Sequence, residues 1–301
     1  MAAAGFMLLG GKEEPKETVR VSGAWALYPM MVRWADEYQK SHDVRIEVSA
    51  GGAGKGMADA LSGLVEIGMV SRDIDPSETG KGAYGIRVAK DAVIPTMNRK
   101  NPMASEIQAT GLKKSQFQSI FINGTGVRWG DLAGKPGESN KVQAYTRSDS
   151  CGAAEIWAKF LGAKQEDLSG VGVNADPGIA EAVSKDAYGM GYNNLNFAYD
   201  PKSGDPFGDL MMVPIDFNED GKIDETESFY AKKADMAAAI ADGRYKSPPS
   251  RDLYVVTKGK PAAASSDFLK WILTDGQQYV TAEGYIPLKS EVLSEEVKGL
   301  G

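Results

Sequence analysis

The 301-residue sequence predicts an α/β protein of two lobes, each a mostly parallel sheet flanked by helices, hinged by crossover strands. Three observations carry this. Short apolar runs bounded by glycine alternate with runs whose apolar residues recur at helical spacing. The pattern begins near Thr18, leaves through DAVIPTMNRKNP and restarts at Val142. The chain is long enough for two cores, and strand-helix alternation favours a mostly parallel sheet.

The elements follow in order. In TVRVSGAW, Val19 and Val21 alternate with polar neighbours and Gly23 ends the strand. PMMVRWADEYQKSH sets Met31, Trp34, Ala35 and Tyr38 at helical spacing, and Pro29 suits the first turn. VRIEVSA and IGMV are strands on either side of the helix GKGMADALSGLVE. DAVIPTMNRKNP is a long exit strand. In the second unit residues 142–145 are a strand, GAAEIWAKFLGA a helix, GVGV a strand and GIAEAVSKD a helix, before AYGMGYNNLNFAY. DLYVVTKG is a late strand and DFLKWILTDGQQYVTAEGY a long helical stretch. The predicted lobes are residues 18–96 with 254–301, and residues 97–253. Residues 1–17 are set aside: the apolar run at 2–9 is too short to span a bilayer and reads as the tail of an export signal before a charged tether. The body is therefore expected outside the cytoplasm.

Composition narrows the function. The net charge is −7 with 25% charged residues, and no basic block stands out, which argues against a nucleic-acid partner. Cys151 and His42 are single residues of their kinds. An internal disulfide is excluded, a Cys/His zinc site lacks ligands, and a histidine-based catalytic group would have to use His42.

Three turns, SGAWALYP (22–29), SAGGAGKG (49–56) and RSDSCGAA (147–154), each follow a strand and open a helix. Such turns aim unpaired amides and a positive dipole end at one place, which suits an anion. SAGGAGKG is not a nucleotide loop, because Ser49 stands where glycine is needed and Gly56 where a magnesium-binding hydroxyl is needed. Arg72 and Arg147 fall just past strands, with Asp149 placed to orient the second guanidinium. The plain alternative for each is a surface arginine with an exposed partner.

These turns, with SKDAYGMGYNNLNFAY, RDLYVVTKGKP and the C-terminal helical stretch, resemble the phosphate-binding proteins that serve ABC importers, within the periplasmic-binding-protein superfamily. The resemblance runs from Thr18 to about Leu288. It implies a monomeric, non-enzymatic receptor in the periplasm or at the cell surface, free or lipid-anchored, that hands a small oxyanion, phosphate first, to an ABC permease. Carried over by position, it implies contacts from Ala26, Leu27, Tyr28, Ala50, Gly51, Ser71, Arg72, Arg147, Cys151, Gly152 and Ala153, with Asp149 supporting Arg147. The family pattern has a hydroxyl near Leu27, a serine at Cys151 and a threonine at Ala153. Each missing donor would cost on the order of 1–3 kcal/mol in a buried site. A different or larger anion therefore stands beside phosphate, and a separate reading of the same site is an anion sensor acting through a protein partner. An enzyme using Cys151 is a third reading. The thiol sits at a helix N-terminus beside Arg147, which would lower its pKa, but no histidine base accompanies it.

DFNEDGKIDETE (216–227) matches the calcium-loop template. Asp216, Asn218 and Asp220 occupy positions one, three and five, Gly221 six, Lys222 seven by its carbonyl, Asp224 nine and Glu227 twelve. The approach is extended rather than helical, SFYAKKADMAAAIADG after the loop is a helix, and no second loop accompanies it. It is expected to be a structural calcium clip in the second lobe.

Overall fold

The computed structural model describes residues 17–124, 126–261 and 263–301. The predicted signal tail lies outside them, as does the tether but for Glu17. Among the described residues nine strands form one curled sheet: β1 (Glu17–Gly23), β2 (Val44–Ala50), β3 (Ile67–Val70), β4 (Ala83–Asn98), β5 (Gln143–Arg147), β6 (Val171–Val173), β7 (Gly189–Asn194), β8 (Leu210–Met212) and β9 (Ser250–Lys258). The order is β2-β1-β3-β9-β4-β7-β5-β6, with β8 also on β4. β2, β1 and β3 are parallel, as are β7, β5 and β6; β9 and β4 run antiparallel between them. The sheet is therefore mixed, because both crossover strands join it at its centre.

Two apolar cores lie along it. One gathers Val21, Leu27, Trp34 and Met69 with Leu253, Phe268 and Ile272. The other gathers Ile94, Phe117, Phe121, Trp157 and Tyr192 with Met236. On β4, Ala83 to Ala89 serve the first and Ala92 to Met97 the second. This strand and its partner β9 are thus the physical link between lobes.

In the first lobe the helix Ala53–Ser62 lies flush on the sheet because glycine meets glycine. A Cβ on Gly56 would stand 2.5 Å from the Met69 carbonyl oxygen and 2.8 Å from the Gly23 Cα. The Gly56 that spoils a nucleotide loop is thus a packing contact. Lys55 pairs with Asp59, which also accepts from Ser22 Oγ at 2.6 Å. Two helices are shorter than their sequence patterns. The C-terminal stretch breaks at Thr274 into Ala263–Leu273 and a 3-10 turn, and the helix after the acidic loop spans only Lys233–Asp242, with Phe229 and Tyr230 buried ahead of it.

Candidate functional site

The predicted turns meet where the two cores face each other. Gly152 presses on the end of β3, where a Cβ would stand 2.3 Å from Ser71 Oγ. At Gly52, which has φ +95°, a Cβ would stand 2.5 Å from the Ser150 carbonyl oxygen and 3.4 Å from Asp149 Oδ2. Two ion pairs span the same seam, Arg72 Nε to Glu155 Oε2 at 2.8 Å and Lys159 Nζ to Asp73 Oδ2 at 2.8 Å. A cavity of about 700 Å³ opens beside the seam, lined by Arg72, Arg147, Ser150, Glu155, Lys159 and Gln165 among others.

The backbone donors sort differently from the sequence expectation. The Leu27 and Tyr28 amides close their own turn onto the Ala24 and Trp25 carbonyls, and the Ala26 carbonyl accepts from Tyr285 Oη at 2.7 Å. Ala50 ends β2, while the Gly51 and Gly52 amides both donate to the Gly23 carbonyl at 2.9 Å. These amides are engaged internally. The open donors of the second turn fall three residues later, in the first turn of Ala53–Ser62, where no intrahelical acceptor exists. Gly152 and Ala153 begin the helix Gly152–Leu161 and keep the predicted position.

Both arginines are committed to carboxylates. Arg147 donates from Nε and Nη2 to Asp149 at 2.8 and 2.5 Å, the orientation its spacing suggested, and from Nη1 to Asp176 at 2.6 Å. Burial, the largest influence, would pull its pKa down, yet the two aspartates outweigh it and hold it above the ordinary arginine value. Arg72 forms a fork with Glu78 at 2.7 and 2.8 Å besides reaching Glu155. Asp176 is fully buried on the helix Ala175–Lys185 and also accepts from the Asn194 amide and side chain. Nothing in sequence pairs it with Arg147, 29 residues away.

From Asn194 the polar chain runs on to Arg251 of β9, which pairs with Asp91 of β4 at 3.4 Å. Arg251 Nε and Nη1 and Asp91 Oδ1 are buried and have no partner among the described residues. None of the three residues of this hinge network is among the predicted site residues; a charged residue inside each of two crossover strands was the available signal.

Cys151 does not have a nucleophile's environment. It caps its helix, Sγ accepting from the Ala154 amide at 3.4 Å, and burial pushes its thiol up to about 12 despite Arg147. The expected lowering by helix and arginine is overruled by desolvation. In the acidic loop, Asp216 and Glu227 are buried while Asn218, Asp220 and Lys222 are exposed and Asp224 is half-buried.

A PBP superfamily domain model matches residues 10–276. Among curated relatives, the phosphate-binding protein PstS of Bacillus subtilis is 24% identical, covering 96% of this chain and 87% of its own length. The PstS of Pseudomonas aeruginosa is 26% identical, covering 93% and 85%. Among solved structures, a putative phosphate ABC transporter substrate-binding protein from Clostridium perfringens aligns with TM-score 0.72 and 23% identity over 91% of this chain and 100% of that one. An ABC-type phosphate transport receptor from Vibrio cholerae aligns with TM-score 0.65 and 18% identity, over 90% and 100%. With two cores bridged by crossover strands, turns meeting at the seam and a model matched over most of its length, the chain belongs to the PBP superfamily.

Proposed function

We propose that this protein is the extracytoplasmic solute-binding component of an ABC importer, that its cargo is phosphate held between the lobes, and that it hands this cargo to a membrane permease. The observation that carries the reading is the near full-length match to phosphate-binding relatives, joined to a seam where turns from both cores touch. Because each arginine is already paired, recognition falls chiefly on the open amides of the helices beginning at Ala53 and Gly152. Asp149 at that seam shapes the choice of anion. An ionised carboxylate only accepts hydrogen bonds, so an anion beside it must bring a proton to donate. Phosphate brings one near neutral pH and sulfate does not.

Closure over the cargo is the working motion of a two-lobed binder. A thermal-shift screen of small anions tests the reading. Phosphate should raise the melting temperature and sulfate should not. In Gly152→Ala the added methyl would wedge the Ser71 contact, so the phosphate response should shrink. Silence with phosphate and a clear shift with another anion would replace the cargo.

A further inference from the structure

We propose that residues 216–227 bind one calcium ion and that the ion fastens this loop to the body of the second lobe. The site is separate from the seam and does not depend on the cargo. The sequence supplies an oxygen donor at every ligand position of the twelve-residue calcium template. The structure supplies an independent sign. Asp216 is 1% exposed and Glu227 5%, and each leaves one carboxylate oxygen, Asp216 Oδ1 and Glu227 Oε2, buried with no partner among the described residues. Their other oxygens are used: Asp216 Oδ2 accepts from the Gly221 amide at 2.9 Å and Glu227 Oε1 from the Phe217 amide at 2.8 Å.

Two orphaned anionic oxygens are costly to bury unless a cation takes them. Among the described residues no side chain does so. Lys113 is spent on the Glu219 carbonyl at 2.5 Å, Lys246 lies over the Phe217 ring, and Lys222 reaches only toward Asp220 at 3.9 Å.

The loop is built to hold still around an ion. Gly221 turns at φ +83°, the position where the template needs it. Ile223 donates its amide to the Ala109 carbonyl at 2.9 Å and packs on Gly111, while the Asp216 amide donates to Leu112 at 3.0 Å. The two anchoring carboxylates, at positions one and twelve, are therefore already placed by the core. Among the described residues no three acidic, His or Cys side chains yet converge closely enough to hold a metal. Asn218, Asp220 and Asp224 instead accept from the amides two residues ahead. Binding thus consists of these outer side chains turning inward onto a preset pair. All donors are hard oxygens, which selects calcium over softer metals, and a two-oxygen glutamate with a carbonyl suits calcium better than the stricter magnesium.

The test is calorimetric titration of the full chain with calcium, in phosphate-free buffer so that no calcium phosphate forms, beside melting curves with calcium and with chelator. One calcium per chain is expected, and at tenfold excess over the dissociation constant the melting temperature should rise by about 2 °C. Glu227→Gln should weaken calcium at least tenfold. It should melt no lower than wild type in chelator, because it removes an unpaired charge while keeping the acceptor for Phe217. Asp220→Asn, an exposed change that leaves the core untouched, should weaken calcium without altering the chelated protein. Absence of calcium heat with melting indifferent to chelator overturns the proposal, and so does unchanged affinity in both variants.

Discussion

At the scale of single residues, Arg147 shows how a cation can be structural and central to a site together. Its guanidinium is wedged between Asp149 and Asp176 in a place with almost no water. Removing it strands two carboxylates, and breaking a buried pair costs about 3–5 kcal/mol. Arg147→Met should therefore lose stability of that order in denaturant titrations. A loss under about 1 kcal/mol would mean that water already screens the pair. The Arg147–Asp149 half of this triad was legible because the partners are two residues apart. Asp176 was not, because only folding brings its helix against β5. Where the amides of each turn point was not legible either. That depends on how each turn closes, as at Leu27, Tyr28 and Gly51.

At the scale of elements, glycine at Gly23, Gly56 and Gly68 decides how closely the helix Ala53–Ser62 approaches β1 and β3. A methyl on Gly56 meets backbone on two sides, where no rotamer can yield. Gly56→Ala should destabilise by about 1–3 kcal/mol, although alanine is the better helix former. A neutral or stabilising result by chemical denaturation would show that helix and sheet separate easily. The sequence pattern located the helices it named, since apolar spacing is local. Their ends were less legible. Thr274 breaks a stretch whose apolar pattern continues, and Lys233 starts a helix well after the acidic loop because Phe229 and Tyr230 are drawn into the core instead. Strands β4 and β9 were visible as extended runs, but their antiparallel place at the sheet centre is a property of the whole fold.

At the scale of the molecule, the lobes are joined by β4 and β9, and one ionic pair is buried in that joint. Burial pushes the Asp91 carboxyl up to about 6, with Arg251 pulling the other way. The folded protein thus holds this proton more tightly than the unfolded chain. The stability it contributes is full below the ordinary carboxylate pKa and is lost as pH rises through about 6. The stability of wild type relative to Asp91→Asn should therefore grow as pH falls from about 7 to about 5. A constant difference across that range would mean that Asp91 does not titrate there.

A two-lobed receptor whose turns close on one anion makes a claim that calorimetry can meet directly. Protein freed of bound anion by unfolding and refolding is titrated with phosphate and, separately, with sulfate. One phosphate per chain with measurable heat is expected, and no heat with sulfate. No phosphate heat, or equal heats for the two anions, would contradict it.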